Sequence, residues 1–487
     1  MKQIIITLAI VFVAFSLQAQ NAKEEYIKNK NKEKRQYADS LKQSYDEFRR
    51  QANEQYAQFM RERWESFQAV KGDPKPELPE PPQPFKFDGD KPIPELPNPI
   101  PYKPIPTPAP DPIQPIKRPD VPQPSQVPNV NKFTFTCFGT PCEVQLDNSL
   151  RFKLKDISEN SVADAWLELS TEYIDLLLAD CLDLREEMVL GDWGYYCLLR
   201  DLTDAFLGKG TDEATLMQVY LLAQSGYKVR IGHKNGHIVT LLAFDGTVYE
   251  QSGVRIEGER FCIIGNNESG KIYLFNRKFS DNERVMSLRM TSPPKFAFIP
   301  NKSRTYTSRR YPDMIVTFST NKNLTDFYNG YPYCDWTYYA WAGLSDEVKE
   351  KLYLMLRKSI ERESQIGAAN RIINFVQTAF EYKTDQNQFG CERPLFGDET
   401  FFYPYSDCED RAILFSILIR DLLGLDVVLL HYTDHLATAV HYTEKLGGDC
   451  FEFEGKTYYV SDPTYMDAFV GFCMPQYKNA TPVVYKL

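Results

Sequence analysis

Cysteine is sparse in this chain. Ten residues in 487, at positions 137, 142, 181, 197, 262, 334, 391, 408, 450 and 473, are too few and too scattered for a disulfide scaffold, although an oxidising compartment would allow some of them to pair. Positive charge is also short. The formal net charge is -10, and no basic cluster falls on a periodic face, which excludes nucleic acid as the expected partner. Long hydrophobic runs are missing beyond the first twenty residues, and the run from Ile4 to Leu17 is too short to span a bilayer comfortably. No cysteine follows it to carry a lipid. Histidine is scarce as well, with five in the chain. His431 and His435 flank a turn, and no cysteine or acid completes a recognised ligand spacing with His441, so neither a metal nor a cofactor is expected.

What is present at the front sets an expected compartment. Lys2, the apolar run and Gln18-Ala19-Gln20 read as a secretory signal over 1–19, cleaved after Ala19. The mature chain is then exported to the periplasm, the cell envelope or beyond, with no transmembrane span. Residues 20–72 follow as a long amphipathic helix, its core running from about 24 to 70. Its apolar positions Tyr37, Leu41, Tyr45, Phe48, Ala52, Tyr56, Phe59 and Phe67 step by fours and threes, an eleven-residue pattern. Such a stripe suits self-association or docking on an envelope partner. Residues 73–130 then hold 21 of the chain's 32 prolines, which predicts an extended polyproline spacer at about 3.1 Å per residue.

The chemistry concentrates near the other end. Ala412 to Leu423 is apolar at helical spacing and stops at Gly424, so Cys408 lies at the first turn of a buried helix, where a thiolate is favoured. Asp426 to Tyr432 and Leu436 to Thr443 read as a β-hairpin about Thr433 and Asp434, with His435 opening the second strand. Thr457 to Ser461 is the next strand, and Asp462 closes it before Pro463. Adjacent antiparallel strands can place an acid beside an imidazole. His435 would then ionise Cys408, and Asp462 would orient the ring and stabilise its cation.

Asp407-Cys408-Glu409-Asp410-Arg411-Ala412, His435 and Asp462-Pro463-Thr464 resemble the transglutaminase-like superfamily, whose papain-like core carries its cysteine in a D-C-x-D-x-A context. The resemblance covers about residues 346–487 and implies Cys-His-Asp acyl transfer. Carboxylates pointing at Cys408 would oppose its ionisation, so Asp407 and Asp410, at capping-box spacing, are read as helix-cap residues. For the oxyanion, the Cys408 amide is one expected donor. The side-chain amide of Gln377 is the expected second.

A second pattern lies upstream. At a constant offset of 198, Ala214, Leu216, Gly226, Val229, His237 and Thr240 match Ala412, Leu414, Gly424, Val427, His435 and Thr438. The nucleophile position then holds Gly210, and the acid position Ile264 or Gly265. The expected fold is therefore α+β, with two papain-like, transglutaminase-like domains of helices packed on antiparallel sheets. A degenerate copy spans 131–280, a β-rich connection with an aromatic cluster spans 281–345, and the catalytic copy spans 346–487. The expected function is an exported thiol enzyme cleaving amide bonds of a peptide or protein substrate, hydrolysis being preferred over crosslinking. The alternatives are an inactive envelope scaffold or peptide- or glycan-binding protein, and a thiol-dependent acyltransferase.

Overall fold

The computed structural model describes residues 2–76, 86–87, 97–99, 105–106, 131–171, 173–265 and 268–487. It is an α+β protein with two mainly antiparallel sheets, each packed against helices; the two short edge strands of the second pair in parallel. The first sheet runs, edge to edge, Glu65–Ala69, Gly270–Leu274, Val229–Lys234, His237–Ala243, Glu259–Ile263 and Gly253–Ile256. The second runs Pro97–Pro99, Gly448–Phe453, Lys456–Val460, Leu436–Val440, Val427–His431, Val483–Lys486 and Ile105–Pro106. Five strands of each sheet, from Val229–Lys234 to Gly270–Leu274 and from Val427–His431 to Val483–Lys486 in chain order, follow the same connection order, and the first of each five is preceded by a helix, Asp212–Gln224 in one case and Cys408–Leu423 in the other.

The hairpin registers coincide as well. Val229 pairs with Leu242 and Ile231 with Thr240, while Val427 pairs with Val440 and Leu429 with Thr438. All four pairs obey the offset of 198 seen in the sequence. Gly226 and Gly424, which follow the two helices, both have positive φ, 83° and 65°, the conformation that ends a helix without strain at glycine.

Period-two alternation explains how the second sheet buries both faces. Val427 and Leu429 face one large core, whereas Val428 and Leu430 face a smaller one on the opposite side. The large core is continuous through both halves of the molecule, from Tyr56 to Val470.

The front of the chain departs from expectation. The helix covers Lys2–Met60 and stops there, because Glu65–Ala69 becomes an edge strand of the first sheet, pairing Glu65 with Leu274 and Ala69 with Gly270. The last turns of the helix have a partner within the chain. Tyr56, Ala57 and Met60 are buried in the main core, and Trp166 donates its indole N–H to Asn53 at 2.8 Å. A free coiled coil over 24–70 is therefore excluded for its C-terminal third. No helix among the described residues is long and apolar enough to cross a membrane.

Most of the proline-rich segment lies outside the described residues. Its described pieces do not stand clear of the second sheet: Pro97–Pro99 and Ile105–Pro106 pair with its two edges, and Phe87 packs on Tyr465 and Phe472. Edge positions are the ones where a residue lacking an N–H does least harm to a ladder.

The connection between the sheets is more helical than its composition suggests. A hairpin of Arg304–Thr307 and Ile315–Phe318 is followed by helices Lys322–Asn329 and Trp336–Ala342. The β-rich character expected over 281–345 is confined to that hairpin and isolated bridges, and residues 295–299 form no strand. The aromatic cluster is a packed seam: Tyr328 stacks on Phe396 at 4.2 Å, and Tyr249 of the first half donates to Asp335 at 2.7 Å. All ten cysteines are free, and only Cys391 is exposed.

Candidate active site

Cys408 is the first residue of the helix Cys408–Leu423, with Asp407 at the N-cap position. Backbone amides of this first turn have no partner inside the helix and form the positive end of its dipole. One half of the capping box forms, the Asp410 side chain reaching back to the Asp407 amide, while the Asp407 side chain caps no amide of the first turn. Asp410 accepts from the Asp407 amide at 3.3 Å and from the Leu395 amide at 2.8 Å, and Asp407 also accepts from the Asp385 amide at 3.1 Å. Both acids act on backbone rather than on sulfur.

His435 follows a two-residue turn that is closed by the Tyr432 amide donating to the His435 carbonyl at 2.8 Å. This places its ring near Cys408, the first residue of the helix. Its Nε2 lies 2.8 Å from Asp462 Oδ2, and Cys408 is close enough to the ring to favour its charged form. With Nε2 taken by the acid, Nδ1 is the nitrogen left for sulfur. Burial works against charge on this ring, but the Asp462 carboxylate and the Cys408 sulfur outweigh it and hold the pKa up to about 10. Asp462 is fixed in turn: its Oδ1 accepts from the amides of Thr464 at 2.8 Å and Tyr465 at 3.3 Å, a local turn that Pro463 favours. The three residues of the expected triad thus meet, although Cys408 lies 54 residues before Asp462 in the chain.

Gln377 does not serve as an oxyanion donor. Its amide nitrogen is spent on the carbonyls of Tyr465 at 2.8 Å, Ala468 at 3.1 Å and Asp462 at 3.3 Å. Three carbonyls around one nitrogen leave no hydrogen for a substrate. The residue holds the loop after the acid, and the expectation drawn from its chemistry is overturned by where the chain turns.

Several neighbours carry no signal in the sequence. Tyr477 lies parallel to the His435 ring at 5.1 Å and 10°, with Tyr432 stacked on it at 4.6 Å. Its hydroxyl donates to Asp434 at 3.0 Å. The Cys408 thiol donates to Glu409 Oε2 at 3.2 Å, so one carboxylate does face the sulfur. Burial and the neighbouring acids push Asp385, Glu409 and Asp410 far above the usual carboxylate range. Arg411, fully buried beside them, donates to Ser406, Gln377 and Phe380.

The equivalent positions in the first half are blank. Ile264 donates to Thr240 at 2.9 Å as Ser461 does to Thr438 at 2.9 Å, so the acid position is Gly265 rather than Ile264. Gly210 stands at the nucleophile position. His237 is exposed, with its Nδ1 3.5 Å from Asp212.

In the second half, His431 packs edge-on against Trp336, and His441 Nδ1 bonds the Thr457 carbonyl at 2.9 Å. Neither joins His435. No protein-family model, curated protein or solved structure matches this chain.

Proposed function

We propose that this protein is a thiol enzyme acting on amide bonds of a peptide or protein through Cys408, His435 and Asp462. The observation that carries the reading is His435, bonded to a carboxylate at 2.8 Å and set beside a thiol at a helix N-terminus. In this mechanism sulfur passes its proton to Nδ1 and attacks the carbonyl carbon. The oxyanion is met by the Cys408 amide, and His435 returns the proton to the leaving amine. Water then cleaves the thioester. Release by water is preferred to transfer onto an amine, and a thiol-dependent acyltransferase remains the nearest relative of this scheme. The transglutaminase-like resemblance supports the same chemistry, with the first half as a duplicated core lacking its nucleophile and acid. The apolar start of the chain supports export to the envelope or beyond.

One observation favours a second reading. Cys408 and His435 are each only 1 % exposed, so a substrate must displace something to reach them, and a scaffold with a sealed relic site would look the same. Iodoacetamide labelling of Cys408 against pH, read by peptide mass spectrometry in wild type and His435→Ala, separates the two. Fast labelling at neutral pH that is lost in the variant supports the enzyme. Slow labelling with an ordinary thiol profile in both supports the scaffold. A peptide library with and without an added amine then distinguishes hydrolysis from transfer.

A further inference from the structure

A cavity of about 890 Å³ lies in the first half of the molecule, where the first helix contributes Phe48 and Gln55, the strand Val229–Lys234 contributes Arg230, and the segment after Gly270–Leu274 contributes Asn276, Phe279 and Asn282. It shares no residue with the proposed triad. Its volume would hold a few residues of peptide.

Arg230 is the group that the surrounding protein leaves unfinished. It is only 3 % exposed, and its guanidinium lies over the Phe261 ring, 5.1 Å from the ring centre, which fixes its plane. Nη1 is spent on Glu283, at 2.9 and 3.1 Å, and on the Val229 carbonyl at 2.7 Å. Nε is buried with no partner, and Nη2 donates to no acceptor among the described residues. A buried guanidinium edge without an acceptor is costly, and the cavity is the space from which an acceptor can reach it.

The free edge selects its ligand by shape. Nε and Nη2 direct two parallel N–H bonds the same way, which matches the paired oxygens of a carboxylate, whereas a single carbonyl meets only one of them. No acid of the protein takes that place. Glu283 is on Nη1, Glu259 is held by Lys228 at 2.8 and 2.9 Å, and Glu257 and Asp281, which also line the cavity, do not bond Arg230 and are balanced in sign by Arg277 and Lys278. The remaining lining suits a main chain. The side-chain amides of Gln55, Asn276 and Asn282 make no hydrogen bond among the described residues, and each offers both a donor and an acceptor, as a peptide group requires. Phe48, 71 % exposed, adds a ring face for an apolar side chain.

We propose that this cavity binds the C-terminal carboxylate of a peptide, held by the Nε and Nη2 edge of Arg230. The site does not rest on the thiol-enzyme reading.

The test is fluorescence anisotropy of the full chain with fluorescein-Gly-Ala-Ala-Phe bearing a free carboxylate, and with the same peptide as its C-terminal amide. The acid should bind about tenfold tighter than the amide or better, and Arg230→Lys, which keeps a cation beside Glu283 but loses the fork, should abolish that preference. Equal binding of acid and amide, no saturable binding of either, or an undiminished preference in folded Arg230→Lys overturns the proposal. Acetyl-phenylalanine should displace the peptide acid; displacement by glucuronate at the same concentration overturns the assignment to a peptide. Cys408→Ala, which cannot cleave the peptide, should bind it as wild type does, so an inert cysteine with acid-selective binding rejects the enzyme and leaves this site standing. Should Arg230→Lys fail to fold, hydrogen exchange of the wild type decides: protection of 229–234 and 276–283 by the acid but not by the amide supports the site, and protection elsewhere or none overturns it.

Discussion

Asp462→Asn is the substitution that tests the proposed site most directly, because it keeps shape and removes charge. It takes away a charge-assisted hydrogen bond at 2.8 Å in a buried setting, of a kind worth about 1.5–3 kcal/mol. At about 1.4 kcal/mol per pKa unit, the imidazolium should titrate about one to two units below its present value near 10. The equilibrium for passing the Cys408 proton to His435 weakens by the same factor. Asparagine also offers an N–H to Nε2, which favours the tautomer with its hydrogen on Nδ1, facing sulfur, where the ring cannot act as a base. The two effects act together, so iodoacetamide labelling of Cys408 at pH 7 should slow by about 100-fold, the upper end of that range. The assay is the labelling rate from pH 5 to 10 in wild type, Asp462→Asn and His435→Ala, with near-ultraviolet circular dichroism to confirm folding. Superimposable rate–pH curves for wild type and Asp462→Asn in folded proteins would refute the argument.

The remaining predictions concern stability and supporting contacts. The raised pKa of His435 means the folded state binds its proton more tightly than the unfolded state, so this contribution is fully present below about pH 6.5 and is lost as pH rises toward 10. Denaturant unfolding from pH 6 to 10 should therefore show a steeper decline in wild type than in Asp462→Asn; parallel curves would contradict it. Gln377→Ala leaves the Ala468 carbonyl without its donor and takes one of two donors from the carbonyls of Asp462 and Tyr465, and unfolding in urea should show a loss of about 1–3 kcal/mol together with slower Cys408 labelling, whereas an unchanged midpoint would remove the role assigned to this residue. Tyr477→Phe removes one hydrogen bond to Asp434 and should cost about 1 kcal/mol; Tyr477→Ala removes the stacked ring as well and should cost about 3 kcal/mol or more, with both read by the same unfolding curves. Deleting residues 1–40 should leave the melting temperature of the first half nearly unchanged, while deleting 1–72 removes the edge strand Glu65–Ala69 and the packing of Tyr56 to Met60 and should lower it strongly. Equal effects of the two deletions would show that the helix end and the edge strand contribute nothing.

The proposed triad was legible because each member sits at an element boundary that local chemistry marks. Gly424 ends the helix that Cys408 starts, the Thr433–Asp434 turn sets His435, and Pro463 stops the strand before Asp462. The correspondence of the two sheets was legible for a related reason: an ungapped offset of 198 preserves hairpin register, and register is what decides which face each side chain occupies. By contrast, the end of the first helix at Met60 was not legible. The apolar stripe runs on through Phe67, and only the open edge at Gly270–Leu274 makes strand the better outcome for Glu65–Ala69.

Local sequence thus determined where helices and strands begin and which side chain can act as thiol, base or acid, since capping, turn chemistry and periodicity operate over a few residues. Tertiary structure alone decided what surrounds them. Gln377 was consumed by three carbonyls brought from 85 to 91 residues away, Tyr477 was laid on His435 from 42 residues away, and Asp385 and Glu392 were carried to Glu409. Hydrogen-bond satisfaction and burial are properties of the packed chain, and no spacing along it records them.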